Sequence, residues 1–99
     1  MSERSNIEKY YEELIESIAE RVLDYDNINE ENEIDYINES IDSGLIFYQD
    51  QAYVLAHALL QGYIKFYAEF NWDEIYQMLL DDVSEEFHKQ KQEIENENN

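Results

Sequence analysis

Apolar residues recur at intervals of three and four along most of the chain, and four helical segments follow from them. Ile7, Tyr11, Leu14, Ile18, Val22 and Tyr25 fall on one face of a first helix. Ser5-Asn6-Ile7-Glu8 has the spacing of a capping box and predicts its start. Asp26, Asn27 and Asn29 supply turn chemistry, so the helix should stop near Tyr25. A short second helix is expected to bury Ile34, Ile37 and Ile41, with Gly44 as the left-handed residue just past its end. Leu45, Ile46 and Phe47 make an apolar connector suited to plugging the core. The third helix begins around Tyr48–Asp50 and carries Ala52, Leu55, Ala56, Leu59 and Leu60. Tyr63, Phe66, Tyr67 and Phe70 continue its pattern. An interior Gly62 costs only about 1 kcal/mol, so the expected end is about Glu69. The fourth helix opens on Asn71-Trp72-Asp73-Glu74, a second capping box, with Phe70 and Ile75 spaced as a hydrophobic staple. Ile75, Met78, Leu79, Val83 and Phe87 form its apolar stripe.

The fold class predicted is all-α, a small bundle of three to four helices. One domain is expected over residues 1–90, and residues 91–99 are a Gln/Glu/Asn tail expected to fray. A chain of 99 residues has room for one core. Proline is absent and glycine occurs twice, which leaves little to punctuate β-hairpins. Cysteine is absent, so disulfides and thiolate metal sites are excluded. No run approaches the roughly 18 apolar residues of a membrane span, and Met1–Glu13 is polar and acid-rich. The expected location is cytoplasmic.

Charge changes the picture. Twenty-five acids stand against six bases, a net charge of −19. Self-repulsion of that size opposes compaction and makes stability depend on salt. It disfavours direct contact with nucleic acid or an anionic membrane and favours a basic partner. Glu8, Glu12, Glu16, Glu20 and Asp24 follow one another at intervals of four, with Glu13 beside them. Each step rises about 6 Å and turns about 40°, so the acids wind obliquely across the side opposite Ile7, Tyr11 and Ile18. Like charges so spaced cost roughly 0.2–0.5 kcal/mol per pair. A sequence chosen for stability alone would have interleaved bases. Between Arg21 and Lys65 there is no base at all, and Asp26, Glu30, Glu31, Glu33, Asp35, Glu39 and Asp42 make a second acidic strip there. Asp73, Glu74, Asp81, Asp82, Glu85 and Glu86 form a third group.

Chemistry of other kinds finds little purchase. His57 lies among Ala56, Ala58 and Leu59 and reads as a core or boundary histidine. Glu85-Glu86-Phe87-His88 contains one Glu-x-x-His, whereas a di-iron bundle needs two copies. Asp24-Tyr25-Asp26 opens like a calcium loop, but Ile28, Asn29 and Asp35 occupy positions that need a ligand, a glycine and a glutamate. No phosphate loop or activated nucleophile is evident, so neither an enzyme nor a cofactor is expected. Of nine tyrosines, Tyr11, Tyr25, Tyr63 and Tyr67 fit the core or its edge. Tyr10, Tyr36, Tyr48, Tyr53 and Tyr76 are expected to be partly exposed.

In size, helicity, lack of cysteine and the Glu8-to-Asp24 ladder, the chain resembles the small acidic DNA-mimic proteins that phages and mobile elements use against restriction or CRISPR nucleases. Ile37-Asn38-Glu39-Ser40-Ile41-Asp42-Ser43, leading through Tyr48 into a helix, also looks like a stretch of uncharacterised phage proteins. The small acidic immunity proteins are similar in size, but the paired tyrosines followed by proline that mark them have no counterpart here. The resemblance implies a non-enzymatic inhibitor, a monomer or homodimer, whose carboxylates stand in for phosphates in the basic groove of a nucleic-acid-binding protein. The alternative is an acidic interaction module, of phage-accessory, immunity or antitoxin type, whose charge serves mainly solubility.

Overall fold

The computed structural model describes residues 3–46, 48–66 and 71–97. Among these residues the fold is all-α, with helices α1 (Glu3–Leu23), α2 (Glu33–Gly44), α3 (Tyr48–Leu60) and α4 (Trp72–Glu97). The predicted stripe of α4 is buried throughout, at Ile75, Met78, Leu79, Val83 and Phe87. From α1 the core receives Tyr11, Ile18 and Val22 as expected, and also Ile15 and Ala19. Each large side chain so buried contributes about 1.5–3 kcal/mol of transfer free energy.

Contacts between the helices fix their directions. Tyr11 reaches Asp82, and the Gln90 side-chain amide donates to the Glu16 carbonyl at 3.3 Å. Positions therefore rise together along α1 and α4, and the two helices run parallel. Between α2 and α4 the order reverses: Glu33 meets His88, while the Tyr76 hydroxyl donates to the Asn38 carbonyl at 3.1 Å. The order reverses again between α1 and α2, where Tyr25 stacks on Tyr36 and Gly44 lies against Ile18. Thus α2 runs antiparallel to both long helices. The short α3 lies against the first half of α1, with Tyr53 stacked on Tyr10 and His57 on Tyr11.

Several boundaries differ from the sequence reading. Helix α1 begins at Glu3, so Ser5 lies inside it rather than capping it; the Ser5 side chain is outside the described residues. At the other end Asn27 takes φ 62°, a conformation asparagine tolerates better than most residues. The Asn29 side chain then accepts the N–H groups of Glu31 and Asn32, while Asn32 accepts that of Asn29. This mesh turns the chain into α2.

Gly44 is not a left-handed terminator. It is the last helical residue, and a Cβ there would stand 2.7 Å from Ile18 Cγ1. The glycine is a close-approach site between α1 and α2. Ile34 is 56% exposed, so α2 buries only Ile37 and Ile41 of the expected three. In the connector, Leu45 packs on the core and Ile46 is exposed; Phe47 lies outside the described residues.

Helix α3 stops at Leu60, about nine residues before the expected end. Gly62 takes φ 81° and turns the chain instead of passing through the helix. Tyr67, Phe70 and the staple to Ile75 fall outside the described residues. Val54 and Ala58 carry the buried face of α3, whereas Ala52 is exposed and Leu55, Ala56, Leu59 and Leu60 are half-buried. At the start of α4 the Asn71 side chain accepts the Asp73 N–H at 2.9 Å, as a cap should. The tail does not begin at Lys89: α4 continues as helix to Glu97, with every side chain from Lys91 to Glu97 exposed.

Candidate functional site: a carboxylate-lined groove

Because α1 and α4 run parallel, carboxylates from both helices face one another along their shared flank. The head of the groove between them is lined by Glu12, Glu16, Asp82, Glu85, Glu86 and Lys89, around the inner residues Tyr11, Ile15 and His57. It continues past Glu16 and Glu86 between Glu20, Gln90, Glu93, Ile94 and Glu97. Eight carboxylates thus line the groove against one base, Lys89, among the described residues. Glu12, Glu16 and Glu20 span about 12 Å of helix at 1.5 Å per residue.

The helix ends add to this field. In a parallel pair both C-termini point the same way, and each presents a partial negative charge of about half a unit. Helix α1 has Arg21 in its last turn, but the last turn of α4 contains no base. Glu93 and Glu97 therefore stand where the helix dipole already disfavours an anion. Helix stability is lowered along this flank.

Polar contacts fasten the head of the groove. The buried Tyr11 phenol donates to the half-buried Asp82 carboxylate. Desolvation pushes the Tyr11 phenol far above its usual pKa, and the Asp82 hydrogen bond and charge push it further. His57 lies face to face on Tyr11, with ring centres 3.6 Å apart. Its Nδ1 is buried and meets no protein hydrogen-bond partner. Desolvation holds the imidazole below its ordinary pKa, and this outweighs the opposing charges of Asp82, Glu8 and Glu12. Tyr10, the next residue, donates to Asp50 at 2.7 Å and stacks on Tyr53. The pair Tyr10-Tyr11 so clamps α1 onto both α3 and α4, which holds the groove wall in place.

The sequence-predicted acids do not form one surface. Glu12 and Glu16 line the groove beside Tyr11 and Ile15, and Glu20 lines its continuation beside Gln90, rather than the side opposite the core. Glu8 is half-buried near His57. Glu13 faces a different recess with Tyr10, Leu14 and Ser17. Asp24 lies with Arg21, Tyr25, Ser40 and Ser43 in a hollow between α1 and α2. In the second strip, Asp26, Glu30, Glu31, Asp35 and Glu39 are exposed. Glu33 is half-buried and pairs with His88 at 2.7 Å, while Asp42 accepts a long 3.4 Å hydrogen bond from Tyr76.

Sequence reasoning missed the other wall. The residue pattern places Glu93 and Glu97 in a tail, and Glu85 and Glu86 in a separate group. The signal was present, since Asp82, Glu86, Gln90 and Ile94 recur at fours on one face of a continuous helix. Among the described residues no group of three or more His, Asp or Glu is placed to hold a metal ion, and no helix is long and apolar enough to cross a membrane. Comparisons with protein-family models, curated proteins and solved structures give no match.

Proposed function

We propose that the protein is a non-enzymatic inhibitor whose α1–α4 groove imitates a run of nucleic-acid phosphates and blocks the basic groove of a nuclease, of restriction or CRISPR type. The observation that carries this reading is the parallel pairing of Glu12, Glu16 and Glu20 with Glu86, Glu93 and Glu97. Duplex DNA carries about one charge per 1.7 Å of its axis, from two strands. A row at about 6 Å spacing on α1, faced by one at about 6–10 Å spacing on α4, approaches that density more closely than a single ladder does. The backbone matters as well: α1 and the packed part of α4, up to Gln90, present their carboxylates from a folded backbone, so only side-chain freedom is lost when they meet Arg and Lys. Electrostatic steering by a net charge of −19 speeds the encounter.

A pull-down from host lysate at low and high salt, with duplex DNA as competitor, tests this proposal. Phosphate mimicry predicts capture of a basic nucleic-acid-binding protein that is released by salt and by duplex DNA. Capture of a partner that duplex DNA does not displace supports the interaction-module reading instead.

A further inference from the structure

Beside the head of the groove, the turn after α3 leaves apolar surface bare. With Gly62 at φ 81°, Ile64 turns into the core while Tyr63 and Phe66 remain 51% and 63% exposed. Tyr63 lines a shallow recess with Gly62, Gln77 and the buried Met78, and Glu74 and Asp81 form its acidic rim. The recess adjoins the groove, because Asp81 precedes Asp82 and Tyr63 is an electrostatic neighbour of Tyr11.

Phosphate imitation by carboxylates does not require such a recess. A second copy of this chain is a poor occupant: with −19 on each molecule, its acids would face Glu74 and Asp81. A basic protein has the complementary charge. Resting on the phosphate-mimic reading, we infer that the recess seats an apolar side chain of that same basic partner, flanked by Lys or Arg that meet Glu74 and Asp81. Binding then has two parts. The groove supplies attraction that any phosphate-binding surface would feel, and the recess supplies selectivity that survives screening by salt.

Two synthetic peptides of equal positive charge test the inference on the full chain, one with Leu between arginines and one with Ser there. Titration calorimetry and amide NMR shifts are read at low salt and at about 0.5 M, where charges are screened beyond a few Å. The Leu peptide is expected to bind about tenfold tighter, an effect of the size given by one well-packed interface side chain. That ratio should persist at high salt, with shifts at Tyr63, Gln77 and Met78. Tyr63→Ala, at an exposed position, should remove the ratio; Gln77→Trp, which fills the recess, should do the same. Equal affinities, or a ratio that survives both substitutions, overturn the recess and leave the groove standing. A dimer by sedimentation that Tyr63→Ala dissociates also overturns it. Binding of neither peptide overturns both readings.

Discussion

The Tyr11 phenol donates a hydrogen bond to the Asp82 carboxylate across 71 residues of sequence, and so fastens α1 to α4 where their groove begins. Tyr11 is only 4% exposed, so its ring is core and its hydroxyl is the one polar link from that ring to the groove wall. Replacing it by Phe keeps the ring and deprives a half-buried carboxylate of its donor. Tyr11→Phe should cost about 1.5–3 kcal/mol in urea unfolding, the range for hydrogen bonds to charged groups. A loss below about 0.5 kcal/mol would mean that water replaces the phenol freely.

Alkaline behaviour follows from the same residue. Burial raises the Tyr11 pKa in the folded state, whereas the unfolded phenol titrates near 10. Above pH 10 the unfolded chain releases a proton that the folded chain retains, so stability falls as pH rises. The stabilisation is complete below pH 10 and is lost at up to about 1.4 kcal/mol per pH unit above it. Tyr11→Phe should flatten that decline by close to one proton in a pH series of urea melts. An unchanged slope would assign the loss to Tyr10 and Tyr76, whose pKa values are also raised.

His57 poses the opposite case, since burial and neighbouring charge pull against each other. With desolvation dominant, its imidazole should titrate below 6.5 by NMR, although Asp82, Glu8 and Glu12 surround it. Because the folded pKa is depressed, the His57 contribution to stability is present above pH 6.5 and is lost as pH falls through the folded value. An NMR pKa above 6.5 would show that the carboxylates prevail.

Gly44 separates helix propensity from packing. Propensity alone says that Gly44→Ala should stabilise the last turn of α2 by about 1 kcal/mol. The new Cβ would stand 2.7 Å from Ile18 Cγ1, on a side chain only 1% exposed and unable to swing away. A net loss of about 1–3 kcal/mol is therefore expected in urea melts, as for other overpacked interiors. A gain would show that α1 and α2 can separate slightly at no cost.

What the sequence reveals is whatever a single helix decides. The α4 stripe from Ile75 to Phe87 and the Asn71 cap are local patterns, and the structure realises both. Gly44 and Gly62 exchange roles because a glycine's role depends on what approaches it, and Ile18 is 26 positions from Gly44. The groove was half legible. Glu12, Glu16 and Glu20 stand out along one helix, but their facing acids on α4 are selected by the parallel register that Tyr11–Asp82 and Glu16–Gln90 define. Periodicity carries no information about that register. The polar composition after Lys89 suggested fraying, yet Glu, Gln and Lys are good helix formers and α4 continues.

The groove acids should lower stability. Changing Glu12, Glu16 and Glu20 together to Gln removes four like-charge pairs at four-residue spacing, from Glu8–Glu12 to Glu20–Asp24, and the facing repulsion from α4. Unfolding free energy at low salt should rise by about 1–2 kcal/mol, and the gain should shrink near 0.5 M salt. A triple variant less stable than wild type would mean that these carboxylates support the fold.

Phosphate mimicry is tested most directly by the affinity of wild type and of the Glu12→Gln, Glu16→Gln, Glu20→Gln variant for the captured nucleic-acid-binding protein across a salt series. Loss of three phosphate surrogates should weaken binding at low salt by at least about tenfold, allowing only about 0.5 kcal/mol for each lost charge contact at the surface. It should also make the dependence of log affinity on log salt shallower. Equal affinity and an equal salt slope for the two proteins would contradict the assignment of the α1–α4 groove as a surrogate for nucleic-acid phosphates.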